Sequence, residues 1–168
     1  VQHLAGPHEE ATYEALLEIP YTQRGEHRSG HQKELQRVGT QKGLFSSPAA
    51  ALVSANERIR KLESHNPPTA AEHAEIQSQQ NYIECLEAIG PRQFTKYQCL
   101  LRLLGDPNDG WDPSLEKDRL VIFSERIETL NWLDEHLKKD LKLRDSQSQI
   151  LHGGMRDTEQ QEIVDRFG

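Results

Sequence analysis

The chain has 168 residues, 35% of them apolar and 28% charged, with a formal net charge of −7; together with a mean hydropathy of −0.79, this is a polar, largely helical composition able to bury one core with attachments. The acidic balance argues against a freestanding basic nucleic-acid binder, because affinity for phosphate backbones rests chiefly on Lys and Arg, although a lobe that uses backbone amides remains compatible with it. Cys85 and Cys99 are the two cysteines, and with no secretory leader or membrane span in view they point to a reduced, cytoplasmic protein, not a disulfide scaffold.

In chain order, a helix is expected near 9–19, where Tyr13, Leu16 and Leu17 form a small apolar face and Pro20 stops the run. The polar stretch 22–32 contains His27 and His31 at a four-residue spacing. Zinc would need a third ligand on an ordered helix, so this stretch reads as a solvated loop or helix entry. A helix resumes through Leu35 and Val38, with Gly39 and Gly43 expected to interrupt it. Ser47 as N-cap and Pro48 at the first helical position then open a helix bearing Leu52, Ala55, Ile59 and Leu62, with Arg58, Arg60 and Lys61 near its end. Asn66-Pro67-Pro68 breaks the chain, and Thr69 with Glu72 forms a capping box.

The helix after that box runs to about Ile89 and carries a narrow stripe of Ile76, Ile83 and Leu86, while 77–81 is polar and reads as solvent-facing. Gly90-Pro91 ends it. Tyr97, Leu100, Leu101 and Leu104 mark another helix, stopped by Gly105. The acidic loop from Asp106 to Pro113 fails the EF-hand template, because Gly110 and Trp111 stand at its fifth and sixth positions. Trp111 is expected to pack the loop down.

From Arg119 the pattern changes. Leu120-Val-Ile-Phe-Ser124 reads as a parallel strand buried on both faces, with Phe123 in the core. Ser124 is the expected N-cap, with Glu125 in the first turn, of a helix bearing Ile127, Leu130, Leu133 and Leu137 and closed by Lys138, Lys139 and Lys142. Asp134-Glu135-His136 lies inside that helix and reads as its solvated face. A second strand, 149–152, ends at Gly153-Gly154, and Asp157 with Gln160 makes a capping-box-like entry to a helix carrying Ile163, Val164 and Phe167. The fold class is therefore α/β: a mostly helical N-terminal part followed by a partial parallel βαβα unit. Parallel crossovers place strand ends and helix starts on one edge, where free N–H groups and glycines suit phosphate.

Leu120-Val-Ile-Phe-Ser-Glu125, Thr129-Leu130, Ile150-Leu-His-Gly-Gly-Met155 and Glu162-Ile-Val-Asp-Arg-Phe167 together resemble motif IV and the following block of superfamily-two helicases, in their second RecA-like domain. Lys42-Gly-Leu-Phe-Ser-Ser-Pro-Ala-Ala-Ala51 is similar to the segment joining the motor lobes in Swi/Snf-like bacterial DNA translocases. The resemblance implies connector helices over 1–65, a helical segment and acidic loop over 66–116, and a helicase C-terminal domain over 117–168 that stops before motifs V and VI. It implies DNA contacts at Ser124, Glu125, His152, Gly153, Gly154, Met155 and Arg156, with Glu159-Gln160 standing where the family often has Glu-Arg. ATP and Mg belong to the parent motor. This chain has no Gly-x-x-x-x-Gly-Lys-Ser/Thr loop, so no cofactor and no ATPase activity are expected of it alone. The partners implied are DNA, the first motor lobe and the rest of the second, with self-association as the other way to cover bare strand edges, and no membrane. A helical interaction module without motor activity and, more distantly, a flavodoxin-like or receiver domain are the competing readings.

Overall fold

The structure is a computed structural model that describes residues 4–22, 30–108, 110–115 and 118–167. Seven α-helices follow one another in these residues: α1 (Pro7–Leu17), α2 (Gly30–Ser46), α3 (Pro48–Glu63), α4 (Ala70–Glu87), α5 (Thr95–Leu104), α6 (Ile127–Asp140) and α7 (Asp157–Phe167), with a short 3-10 turn at Asp145–Gln147. The chain divides into two compact units, 1–98 and 99–168. His27 and the side chain of His31 lie outside the described residues.

In the first unit α3 packs against α2 and α4, and α1 lies on α4 with lighter contact to α2. The core is built from Ala15, Leu16, Ile19, Tyr21, Ala51, Ala55, Tyr82 and Leu86. Two of its small members, Ala51 and Ala55, sit on α3, which lets the neighbouring backbones come close. Gly43 faces this helix, where a Cβ would stand 3.5 Å from the Ala51 Cα, in ordinary van der Waals contact. This corrects the expectation that Gly39 and Gly43 interrupt the helix: α2 runs through both. A mid-helix glycine costs roughly 1 kcal/mol relative to alanine, and close packing of α2 on α3 offsets it.

The caps read from sequence are present. Ser47 Oγ accepts the Ala50 N–H at 3.1 Å, with Pro48 as the first helical residue. At the start of α4, Thr69 Oγ1 accepts the Glu72 N–H at 3.2 Å while Glu72 Oε2 accepts the Thr69 N–H at 2.7 Å. Glu72 also bonds His65 Nδ1 at 2.6 Å.

The buried stripe of α4 differs from the expected one. It comprises Glu72, Glu75, Ile76, Gln79, Tyr82 and Leu86, so two carboxylates face inward, as does Gln79 from the polar stretch 77–81. Glu75 is fully buried and wholly engaged. Its Oε1 accepts Arg58 Nε at 2.6 Å, and its Oε2 accepts Arg58 Nη2 at 2.9 Å, the Thr22 N–H at 2.6 Å and Thr22 Oγ1 at 2.6 Å. Arg58 Nη2 also donates to the Thr22 carbonyl at 2.9 Å, so one ion pair joins α3, α4 and the segment after α1. Glu9 does similar work nearby, accepting the Gly6 N–H at 2.7 Å, the Thr95 N–H at 3.1 Å and Thr95 Oγ1 at 2.6 Å. By contrast the Tyr82 hydroxyl is buried with no hydrogen-bond partner among the described residues; burial, and the neighbouring Tyr21, hold its pKa well above the usual phenol value.

The second unit overturns the α/β assignment. Among its described residues there is no strand, and helices are the regular elements of both units. Segments 118–123 and 148–152 are irregular, without a ladder between them. Leu120 and Ile122 are half-buried while Val121 and Phe123 are exposed, so the apolar run is covered on alternate residues only. Two strands without neighbours are marginal, and an apolar run supplies side chains for a sheet but no partner for its N–H and C=O groups. The loop after Gly105 closes on itself, with the Trp111 N–H donating to the Leu104 carbonyl at 3.0 Å and Trp111 Nε1 to the Asp118 carbonyl at 3.1 Å.

Two outcomes test this account of the first unit by chemical denaturation. Glu75→Ala leaves Arg58 without its buried counter-charge and is expected to cost about 3–5 kcal/mol. Tyr82→Phe removes a hydroxyl that has nothing to bond, and its stability is expected to stay within about 0.5 kcal/mol of the parent or to rise; a loss above about 1 kcal/mol would reveal a partner.

Candidate nucleic-acid edge and a helical groove

The residues implied as DNA contacts fall in two turns of the second unit. Ser124 and Glu125 lie in the turn that enters α6. The helix begins later than expected: Arg126 is the N-cap, and Ser124 Oγ accepts the Arg126 N–H at 3.2 Å instead of capping the helix itself. Glu125 is exposed. The other five residues form one turn before α7. His152 Nδ1 accepts the Gly154 N–H at 3.1 Å, and the His152 carbonyl accepts the Met155 N–H at 3.2 Å. Gly153 is open, with no atom within 4 Å of where a Cβ would stand. Gly154 is exposed and Met155 half-buried, with the Met155 carbonyl receiving Gln160 Nε2 at 2.9 Å. Arg156 is exposed but held, its Nη2 2.6 Å from Glu159 Oε1 and its N–H donating to Glu159 Oε2 at 3.2 Å.

In place of the expected Asp157–Gln160 box, Glu159 accepts from the backbone and side chain of Arg156, and Asp157 is the first helical residue. Hydrogen bonds from Arg156 hold the Glu159 carboxyl below the usual range. The electrostatic result is specific. Two carboxylates, Asp157 and Glu159, occupy the first turn of α7, which is where the helix dipole would otherwise favour a phosphate. The turn thus offers an open backbone at Gly153, but its cation is neutralised and its helix start is already served by acid.

Within α6, Asp134-Glu135-His136 is more than a solvated face. Asp134 accepts Lys138 Nζ at 2.8 Å and also Ser148 Oγ, tying the segment that leads to His152 onto the helix. Asp134 accordingly raises the Lys138 pKa, and His136 stacks on Trp132 with ring centroids 4.1 Å apart. Among the described residues no group of three His, Cys, Asp or Glu side chains is placed to hold a metal. No helix among the described residues is long and apolar enough to cross a membrane.

A second concavity, unread in the sequence, lies in the first unit. It is a groove of about 710 Å³ floored by Tyr13, Leu44, Phe45, Pro48, Ile89 and Phe94, with Glu10 and Glu14 on one wall. Tyr13 and Phe45 meet with ring centroids 6.2 Å apart, and Phe45 is 62% exposed. Its signal in the sequence was the Leu44-Phe45 pair just ahead of the Ser47-Pro48 cap. A pair of apolar residues at a helix end does not announce, without the tertiary fold, that α1 and the start of α5 complete a groove around it.

Comparison with known proteins returned no matching family, no similar curated protein and no similar solved structure.

Phe123 is 91% exposed, contrary to the core position expected for it. Phe123→Ala is accordingly expected to change the unfolding free energy by less than about 0.5 kcal/mol; a loss in the range of a buried aromatic, about 3–5 kcal/mol, would put the residue back in a core.

Proposed function

We propose that the chain is part of a Swi/Snf-like, ATP-dependent DNA translocase, in which the helices of the first unit connect the motor lobes and the turn at His152–Arg156 meets the DNA backbone. The observation that carries the reading is the order of matching segments, from Lys42–Ala51 through Leu120–Glu125 and Ile150–Met155 to Glu162–Phe167. The open backbone at Gly153 supports it, and so does the exposed apolar character of Val121, Phe123 and Leu151, which are 54%, 91% and 45% exposed and suit burial against other parts of a motor. ATP and Mg act elsewhere in the parent, because phosphoryl transfer needs the phosphates cradled and magnesium held. The role of this chain is positioning: the open backbone at Gly153 approaches the phosphate, and Arg156 reaches it on leaving Glu159, without sequence readout. A helical interaction module is the second reading, favoured by the apolar groove of the first unit.

The isolated chain is expected to release no phosphate from ATP with or without DNA. In the intact parent, Gly154→Gln should lower DNA-stimulated ATPase by crowding the backbone approach. Glu159→Gln should raise DNA affinity several-fold by freeing Arg156 and removing a negative charge from the start of α7, with a steeper salt dependence. Opposite effects from two folded variants at one turn are the signature of a phosphate contact. If neither variant moves DNA affinity or turnover, the edge is not a DNA surface and the interaction module takes its place.

A further inference from the structure

We infer that the groove between α1 and the end of α2 is a docking site for a basic amphipathic helix of a partner protein. Its size falls within the roughly 300–1,000 Å³ of cavities that enclose a ligand, and its floor is apolar and aromatic. The helix-in-groove mode needs such a floor together with flanking charge that fixes orientation. Glu10 and Glu14 provide that charge. They lie one helical turn apart on the same face of α1, both are exposed, and both line the groove. Neither is paired with a cation among the described residues.

The other two charges of the lining are fixed in place by hydrogen bonds. Glu9 keeps its negative charge while bonded to Gly6 and Thr95, and Lys96, the one cation of the lining, is held at the Phe45 carbonyl at 2.9 Å, so three carboxylates face one ammonium. The result is an apolar floor with an edge that is negative on balance, its two unpaired carboxylates being Glu10 and Glu14. The complementary occupant is a helix with bulky apolar residues on one face and Lys or Arg spaced by four on its border, positioned against Glu10 and Glu14. A second copy of this chain is a poorer occupant, because its net charge of −7 repels an acidic rim.

The test uses the full chain and a designed helical peptide of Leu and Lys, roughly 14 residues long so that a helix can form, with a control peptide carrying Glu in place of Lys. Binding is followed by fluorescence anisotropy at two salt concentrations. The basic peptide is expected to bind at least about tenfold more tightly than the acidic one. E10Q/E14Q should weaken it about three- to tenfold, the scale of two solvent-facing ion pairs, and Phe45→Ser should weaken it by about tenfold or more. E57Q/E63Q, which removes the same charge from exposed positions on α3, should change nothing. Equal losses from the two double variants would mean that general acidity attracts the peptide, and would overturn the site. So would undiminished binding by folded Phe45→Ser protein. Sedimentation showing a wild-type dimer that Phe45→Ser dissolves would assign the groove to a second copy and overturn the proposal equally.

Discussion

The first unit depends on a carboxylate with no access to water. Glu75 is satisfied on both oxygens by Arg58 and Thr22, and the three residues come from three separate pieces of chain. A buried ion pair does little for net stability, because desolvating both charges roughly cancels their attraction. What it fixes is register. Any sliding of α4 along α3, or lifting of the segment after α1, would leave a charge or a backbone carbonyl unpaired in the interior, at a penalty that a purely apolar contact would not impose. The neighbouring carboxylates repeat the device on a smaller scale: Glu72 closes the entry to α4 and reaches His65, and Glu9 ties the start of α1 to the start of α5. The apolar core between them is modest in volume, with alanines at several of its positions, so polar junctions carry much of the specification of geometry.

Those junctions explain what was legible in the sequence and what was not. Ser47-Pro48 and Thr69-x-x-Glu72 were readable because a cap is a contact between residues three apart, and its chemistry is complete within the local string. Glu75 was not, because a Glu in a polar run between Ile76 and its neighbours carries no local sign that an Arg seventeen residues earlier will meet it. The same reasoning accounts for α2. Gly39 and Gly43 lower the local helix propensity, as read, but Gly43 is used by Ala51 on another helix, and tertiary packing overrides propensity. Seen from the sequence alone the glycine is a breaker; seen from α3 it is a point of contact.

The strand assignment failed for a related reason. Leu120-Val-Ile-Phe123 has the composition of a buried strand, but composition concerns the side chains, and a strand exists only through hydrogen bonds to another piece of chain. Here the run covers Leu120 and Ile122 and leaves Val121 and Phe123 outside, which is the pattern of one occupied face. Of the candidate edge, the glycine turn was legible, since Gly153-Gly154 before an amphipathic segment is a local signal. The pairing of Arg156 with Glu159 was not weighed, although its i,i+3 spacing was available in the sequence. That pairing reverses the expected electrostatics of the turn, from an uncommitted cation beside open amides to a neutralised one beside two acids.

An acidic chain that approaches phosphate must do so against its own field. With a net charge of −7 and carboxylates in the first turn of α7, counterion release from DNA could contribute little here, and backbone amides alone supply position without much affinity. Contact at Gly153 is then useful only if the charge attraction comes from other parts of the protein, leaving this turn to set how closely the backbone is approached. The groove on α1 makes the opposite demand, because there the surplus acid is an asset and the partner must bring the cations. Acid that works against a phosphate at the glycine turn works for a basic partner at the proposed groove. The two surfaces are therefore separable by salt: screening relieves repulsion at the glycine turn while it removes attraction at the groove.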